Sequence, residues 1–366
     1  MNNDLTKIII ATGGTGGHIF PAYSLAKHLS EKQIKVEIIS DKRGLKYLKK
    51  EKDLKITEIP TSTIFKKSIF QFCFSIFIIL YSLCKSFIFL LIKKPNLVFG
   101  MGGYSSFPIC LASKIIGIPF IIYENNLHVG KANKYLLRHA KIIFVSHKEL
   151  QGIPNKFKNK IFEIGNIIRK EILNFGENYN FIKDKKKLNI LILGGSQAAK
   201  VFAEKLPKIF KQCKDEKMSL KIYQQCLPNQ KESLITFYNK ININCEIFNF
   251  SDNILNYFSK TNLAITRSGS SMLAELINAK IPFIAVPLPS SADDHQLKNA
   301  IYYEKNGYSY LIEEKHLNSR LFKLLKKINT DMSLLDQMSA KQRQYSDISV
   351  YENIDKQIKK ILNDKY

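Results

Sequence analysis

Apolar residues along this chain fall into two rhythms. Short apolar runs recur at Lys7–Ala11, Val36–Ser40, Leu97–Phe99, Phe120–Tyr123 and Ile142–Val145. A second series occupies Leu188–Leu193, Leu220–Gln224, Cys245–Phe248, Leu263–Thr266, Phe283–Val286 and Tyr308–Ile312. Runs of this length, bounded by turn residues, predict strands, and helical patterns alternate with them. Strand, glycine turn and helix follow one another at TGGTGGH (Thr12–His18) and again at GGSQAAK (Gly194–Lys200). That repetition predicts an α/β chain with two nucleotide-binding-type halves. The expected domains are 1–165 and 166–345, and a last helix over about 350–362 is placed back on the first half.

One stretch breaks the rhythm. KKSIFQFCFSIFIILYSLCKSFIFLLIKK (Lys66–Lys94) carries only Lys85 between its terminal lysine pairs. As a helix, Ser68–Ile92 would reach roughly 37 Å, enough to cross a bilayer. A crossing would put strands of one sheet on opposite sides of the membrane, so a span is rejected. Gln71, Ser75, Ser82, Ser86 and Lys93 fall within about 60° on a helical wheel, and the other faces are mostly Phe, Ile and Leu. The expectation is that one apolar face packs on the sheet and the excess dips into a bilayer surface. Ile69, Phe70, Phe74, Phe77 and Leu80 are the expected contact residues, with Lys66 and Lys67 meeting anionic head groups. The competing reading is a helix that is buried or covered by a partner protein.

Composition sharpens this picture. At 366 residues two domains are the prior, and the formal net charge is +25. No acidic residue occurs between Glu58 and Glu124, the region that holds the apolar stretch. A basic surface beside an apolar helix points to anionic lipid or phosphate ligands. Nucleic acid is the competing partner, but no binding module or aromatic-basic motif appears, so none is expected. Cys73, Cys84, Cys110, Cys213, Cys226 and Cys245 form no CxxC or zinc spacing, and no HExxH occurs. Reduced thiols in cytoplasm fit best. The N-terminus runs directly into a strand, so no signal peptide is expected.

The glycine turns carry the candidate chemistry. Gly14-x-Gly16 fits the start of a dinucleotide fingerprint, and Asp41 ends the second strand at a suggestive distance. Ile19 stands where the third glycine belongs, so that reading is weak. What the loop supplies is exposed backbone at a helix N-terminus, where free N–H groups bind phosphate oxygens. GMGGYSS (Gly100–Ser106) is a second such loop in the same half. Two anion loops suit a diphosphate, and tight turns alone are the alternative. His18 sits where the helix dipole favours a neutral imidazole, which makes it a candidate general base, with a structural histidine as the alternative. In the second half, GGSQAA offers backbone N–H groups and the Ser196 hydroxyl to a phosphate. TRSGSSMLAE (Thr266–Glu275) places Glu275 where it could accept ribose hydroxyls or simply complement the dipole. DDHQLKNA (Asp293–Ala300) places Gln296 and Asn299 at a helix start, which an ordinary cap at Asp293 or Asp294 also explains.

Taken together, these residues resemble the MurG family of bacterial N-acetylglucosaminyltransferases. GGTGGHIFPA (Gly13–Ala22) is the most specific signature. GMGGYSSFP, YENN (Tyr123–Asn126), GNIIR (Gly165–Arg169), GGSQ, RSGSSMLAE and DDHQLKNA follow in the family's order. The resemblance covers nearly the whole chain. It implies the GT-B architecture, two Rossmann-like domains facing across a cleft. It implies inverting transfer of GlcNAc from UDP-GlcNAc to the muramyl C4 hydroxyl of lipid I, giving lipid II for peptidoglycan synthesis. His18 would be the base. The donor would meet Thr15, Gly16, Gly17, Asn126, Arg169, Ser196, Phe250, Ser251, Glu275 and Gln296. The acceptor diphosphate would lie against Gly14, Gly16, Gly102, Gly103 and Tyr104. No metal and no cofactor are implied, and no DxD motif appears where a metal-dependent transferase would need one. Implied partners are UDP-GlcNAc, lipid I, an anionic membrane surface and cell-wall synthesis proteins, with peripheral attachment to the cytoplasmic side of the inner membrane. The chain departs from the family pattern at Ala198, usually Gly, and at Tyr123, where His is common. Ser271 replaces a usual Thr, and His295 replaces a Gln found in some members.

Overall fold

The computed structural model describes residues 6–14, 16–48, 53–62, 69–178, 187–249, 251 and 253–363. The chain divides into two compact units, Met1–Arg169 with Asp347–Tyr366, and Lys170–Ser346.

In the first unit, β1 (Lys7–Ala11), α1 (Gly16–Glu31), β2 (Lys35–Ser40), α2 (Lys42–Leu48) and β3 (Lys55–Glu58) come first. Next come α3 (Ile69–Lys93), β4 (Leu97–Gly100), α4 (Phe107–Ile116), β5 (Phe120–Glu124), α5 (Lys131–Leu136), β6 (Ile142–Val145) and β7 (Ile161–Glu163). Among the described residues the strands form one parallel sheet in the order β3-β2-β1-β4-β5-β6-β7. Ile8, Ile9, Ile10 and Ala11 of β1 are all buried, as are Leu97, Val98 and Phe99 of β4. Strands covered on both faces by crossover helices read as unbroken apolar runs rather than alternating ones. β1 pairs with both β2 and β4, so the strand order reverses between β1 and β4.

The second unit repeats the plan. It comprises α6 (Lys170–Asn178), β8 (Leu188–Leu193), α7 (Gly195–Asp215), β9 (Leu220–Gln225), α8 (Lys231–Lys240), β10 (Asn244–Phe248), α9 (Leu255–Phe258) and β11 (Leu263–Thr266). It continues through α10 (Ser270–Asn278), β12 (Phe283–Ala285), α11 (His295–Lys305), β13 (Tyr310–Leu311), α12 (Phe322–Thr330) and α13 (Ser333–Arg343). The sheet runs β10-β9-β8-β11-β12-β13, all parallel, with its reversal between β8 and β11. Ile190, Ile192, Phe202, Phe210, Ile222 and Ile265 belong to its apolar core.

The final helix, α14 (Val350–Asn363), belongs to the first unit. Val350, Ile354, Ile358 and Ile361 are buried on one stripe. The buried His28 of α1 meets Asp355 through Nε2 at 2.9 Å, and its ring lies 4.5 Å from that of Tyr351.

Two strands escaped the sequence reading. β3 (KITE) holds one apolar residue and a threonine between a charge at either end, and β7 is three residues long; both lie at sheet edges, where one flank needs no apolar cover. The helix after the first glycine turn begins at Gly16 rather than near Ile19.

The apolar stretch forms a helix, but its orientation overturns part of the sequence expectation. The serines of the polar stripe face inward: Ser75, Ser82 and Ser86 are buried, Ser82 and Ser86 completely. The single hydroxyl proton of Ser82 Oγ is shared between Pro60 O and Ile78 O, and Ser75 Oγ donates to Gln71 O at 2.8 Å. A serine hydroxyl that bonds the carbonyl one turn back needs no water, and its small size lets the helix approach its neighbour. α3 therefore packs through its serines, with Leu90 fully buried and Leu83 and Phe87 partly so. The large apolar side chains turn outward: Phe70 is 83% exposed, Phe74 65%, Phe77 68% and Leu80 55%. Ile88, Leu91 and Ile92 continue that face. The side chain of Ile69, and residues Lys66 and Lys67, lie outside the described residues.

Candidate functional site

In the first unit the candidate site forms where the strand order reverses. The loops after β1 and β4 sit side by side at the carboxyl ends of neighbouring strands, the usual ligand crevice of such sheets. α1 and α4 start there, so two helix N-termini and their unpaired N–H groups share one end of the sheet. Gly14, Gly102 and Gly103 all have positive φ, at 83°, 85° and 74°. Backbone turned this way presents successive N–H groups to an anion.

His18 joins the two loops. A Cβ built on Gly102 would lie 3.1 Å from its Cε1 and 3.2 Å from its Nδ1; one on Gly103 would lie 3.5 Å from its Cδ2. The imidazole thus rests against the second glycine loop. Thr12 Oγ1 donates to His18 O at 2.9 Å, and Asn125 Nδ2 donates to Gly17 O at 2.8 Å, which fixes the start of α1 from both sides. Gly13 also has no room for a side chain, since a Cβ there would meet Ser105 Oγ at 2.1 Å. Tyr104 is partly exposed in the same loop, and Thr15 lies outside the described residues.

Asp41 is not placed to read a ribose. Its Oδ1 accepts from Gly14 N at 3.0 Å and Gly44 N at 2.9 Å, and its Oδ2 accepts from Arg43. Burial alone would raise this carboxyl, but the two N–H donors and the guanidinium outweigh it and hold Asp41 below the ordinary value. Its work is to tie down the first glycine loop.

Glu124 plays the same part at the end of β5, and its role did not emerge from the sequence. Buried, it accepts from Asn126 N at 3.1 Å and Asn126 Nδ2 at 3.1 Å through Oε1. Through Oε2 it accepts from Gly130 N at 2.8 Å and Asn133 Nδ2 at 2.9 Å. Asn126 is therefore held by a buried carboxylate beside the glycine loops. Tyr123, just before it, is fully enclosed. Its hydroxyl accepts from Ile167 N at 3.0 Å and meets Ser146 Oγ at 3.0 Å. Burial pushes its pKa well up, so the phenol stays protonated. Tyr123 thus anchors the segment that ends in Arg169. Asp347 grips that segment too, accepting from Asn166 N at 2.9 Å and Asn166 Nδ2 at 3.1 Å, beside Gly165 with its φ of 91°. Arg169 itself is partly exposed.

In the second unit, the loops after β8, β9, β10, β11 and β12 share the carboxyl end of the sheet. α7 and α10 open at Gly195 and Ser270, on the two strands that flank the reversal. A Cβ on Gly195 or on Gly269 would meet nothing within 4 Å, so backbone is open to approach at both helix starts. Gly195 N donates to Gln225 Oε1 at 3.2 Å, and Gln225 Nε2 donates to Asn249 O at 3.1 Å, which ties three of these loops together. Ser268 is fully buried, and its Oγ has no hydrogen-bond partner among the described residues. Glu275 is buried on α10 and Ser251 is half-buried. Gln296 Oε1 accepts from Leu288 N at 3.0 Å, and Asn299 Nδ2 donates to Ser268 O at 3.2 Å. Asp294 precedes α11, but its side chain makes no cap bond; it and Asp293 have φ of 53° and 50°. The side chains of Ser196 and Ala198, and residue Phe250, lie outside the described residues.

Arg267 opens RSGSSMLAE but stays within the framework. It donates to Val286 O and Pro287 O, pairs with Glu314, and lies 4.9 Å over the Phe202 ring. Among the described residues, no three His, Cys, Asp or Glu side chains come together as a metal site.

Two doubly wound α/β units with glycine loops at both reversals define a class built to hold phosphate-bearing ligands at helix starts, and the comparisons say which family it is. Residues 8–145 match the glycosyltransferase family 28 N-terminal domain and residues 189–358 match the glycosyltransferase family 28 C-terminal domain, so the chain belongs to glycosyltransferase family 28. A relative from Pelagibacter ubique (strain HTCC1062) is 38% identical over 350 residues, 95% of either chain. It is named UDP-N-acetylglucosamine--N-acetylmuramyl-(pentapeptide) pyrophosphoryl-undecaprenol N-acetylglucosamine transferase. A relative of the same name from Francisella tularensis subsp. holarctica (strain FTNF002-00 / FTA) is 32% identical over the full length of both chains. The crystal structure of Acinetobacter baumannii MurG superposes with a TM-score of 0.77 at 26% identity, over 97% of this chain and 99% of that one.

Proposed function

We propose that this enzyme transfers GlcNAc from UDP-GlcNAc to the muramyl C4 hydroxyl of lipid I, forming lipid II with inversion at the anomeric carbon. The observation that carries the reading is the packing of His18 against Gly102 and Gly103 at the β1/β4 reversal, in a chain that matches such transferases end to end. The first unit takes the acceptor. Its diphosphate lies on the N–H groups around Gly14, Gly16, Gly102, Gly103 and Tyr104. The second unit takes the donor, with Ser196 and the start of α7 at the diphosphate, Glu275 at the ribose, Gln296 at the sugar, and Phe250 and Ser251 at uracil. Thr15, Gly16, Gly17, Asn126 and Arg169 complete the donor set.

In the chemical step, His18 takes the proton of the C4 hydroxyl as its oxygen attacks the anomeric carbon. The bond from that carbon to the β-phosphate oxygen breaks and UDP leaves. Arg169 and the N-termini of α7 and α10 stabilise the charge that builds on the leaving phosphate. The outward face of α3, Phe70, Phe74, Phe77 and Leu80, rests on an anionic membrane surface, which keeps the enzyme peripheral on the cytoplasmic side of the inner membrane. Cell-wall synthesis proteins are its natural neighbours there.

Calorimetric titration with UDP-GlcNAc tests the donor assignment. Stoichiometric binding that weakens in Glu275→Ala is expected. Binding of NAD in place of UDP-GlcNAc would contradict it.

A further inference from the structure

Arg267 is buried just past the end of β11 and takes no part in the chemical step, yet it joins four strand ends of the second unit. Its backbone N donates to Leu193 O at the end of β8, at 3.3 Å. Its Nη1 donates to Val286 O at 3.3 Å and Pro287 O at 3.1 Å, just past β12. Its Nη2 donates to the carboxylate of Glu314, just past β13. The guanidinium also lies over the Phe202 ring of α7.

Glu314 sets the direction of this fork. The guanidinium is planar and rigid, so fixing Nη2 fixes where the two Nη1 protons point, and each meets a carbonyl. Among the described residues, Glu314 is the anion paired with Arg267. Glu314 is held in turn, because Lys205 Nζ of α7 donates to its backbone O at 3.3 Å. Taking the carboxylate away leaves a buried cation without its partner, which favours rearrangement of the fork.

The fork reaches the donor side through one peptide group. Pro287 O and Leu288 N belong to the same planar unit. Its oxygen accepts from Arg267 Nη1, and its N–H donates to Gln296 Oε1 at 3.0 Å. A tilt of that plane therefore moves the Gln296 amide. The same bond settles which end of the amide faces a ligand: the N–H must meet the oxygen, which leaves Nε2 as the donor. A pair of amide protons held in this way suits the oxygen of a sugar hydroxyl.

We propose that Glu314 is a positioning residue for the donor sugar. It holds the Arg267 fork, the fork sets the Pro287–Leu288 peptide, and the peptide aims the Gln296 amide. This rests on the reading of Gln296 as the group at the donor sugar. The alternative is that Glu314 and Arg267 only pin strand ends, which adds stability and nothing to recognition.

The test measures the affinities of the full-length protein for UDP-GlcNAc and for UDP by calorimetry. UDP lacks the sugar, so the ratio of the two affinities reports the sugar contacts and is insensitive to a general loss of stability. The ratio is expected to fall about fivefold in Gln296→Ala and by a similar factor in Glu314→Ala. The double variant should fall no further than Gln296→Ala alone, because both changes remove one contact. Glu314→Gln keeps an oxygen for Nη2 and should restore the ratio. Glu314→Asp keeps the charge but draws it back by one methylene; it should lower the ratio too, and it carries the test if the alanine variant does not fold. A ratio unchanged in Glu314→Ala or Glu314→Asp, with Gln296→Ala lowered, overturns the positioning role and leaves the donor reading intact. A double variant lowered by the product of the two single factors overturns the route through Gln296. A ratio unchanged in Gln296→Ala overturns both the proposal and the placing of Gln296 at the sugar.

Discussion

The Cε1 of His18 lies 3.1 Å from where a Cβ of Gly102 would be, so the imidazole and the second glycine loop occupy one packed unit. Gly102→Ala forces a side chain into that contact at a φ of 85°, where L-residues are strained. The expected result is a melting temperature lowered by an amount equivalent to about 1–2 kcal/mol, together with a larger loss of kcat than of donor affinity. Wild-type turnover in the alanine variant would mean that the loop tolerates displacement and that His18 does not depend on it.

Removing the imidazole itself separates chemistry from binding. His18→Ala is expected to lower kcat by about 10²–10⁴-fold, the usual span for a general base, while UDP-GlcNAc affinity stays close to wild type. Equal losses in both would make His18 a structural residue.

Tyr123 tests the buried frame behind the site. Tyr123→Phe removes the acceptor of the Ile167 N–H and the partner of Ser146 Oγ in an enclosed place. An unsatisfied buried donor costs about 1–3 kcal/mol, so thermal unfolding should move down accordingly. The KM for UDP-GlcNAc should rise because the anchored segment ends in Arg169. An unchanged melting curve would show that water replaces the phenol.

Asp41 gives a pH dependence with a definite sign. Its carboxyl is held below the ordinary value of 3.8 when folded, so the charged form stabilises the native state at neutral pH. That contribution is full above the unfolded value and is lost as pH falls through the lower folded one. Asp41→Asn should therefore melt below wild type at pH 7, and the gap should close below about pH 4. A gap that stays constant down to pH 2 would contradict the ion's role in holding Gly14 and Gly44.

The outward face of α3 predicts where the protein goes. Phe74, Phe77 and Leu80 are more than half exposed, so replacing all three with Ser should spare the fold. Binding to anionic liposomes should fall steeply while turnover of a short-chain acceptor survives. Ser82→Leu should do the reverse, because that hydroxyl is buried against Pro60 and the helix backbone. Unchanged liposome binding in the triple serine variant would disprove the face.

The sequence made the strands of both sheet centres and the two glycine turns legible, because buried parallel strands announce themselves as apolar runs and phosphate-type loops as glycines. It hid β3 and β7, whose edge positions permit charge or brevity. The outward facing of Phe70, Phe74, Phe77 and Leu80 on α3 was legible, but the packing of the serine stripe against the rest of the unit was not, since it depends on hydroxyls that bond the preceding turn. At the site, the glycine turns were legible, and the structure places His18 against the second of them. The carboxylates that hold them were not, because Asp41 and Glu124 act through backbone N–H groups that carry no sequence signature. Asp347 was out of reach for another reason: it closes on Asn166 across nearly half the chain.

The most direct test is transfer of labelled GlcNAc from UDP-GlcNAc to a short-chain lipid I analogue by the purified enzyme, with and without EDTA. The predicted result is a β-linked disaccharide product, formed at the same rate in chelator, with the leaving-group charge carried by Arg169 and the helix N-termini. A folded protein that binds UDP-GlcNAc yet forms no such product in either condition would contradict the assignment of lipid I as its acceptor.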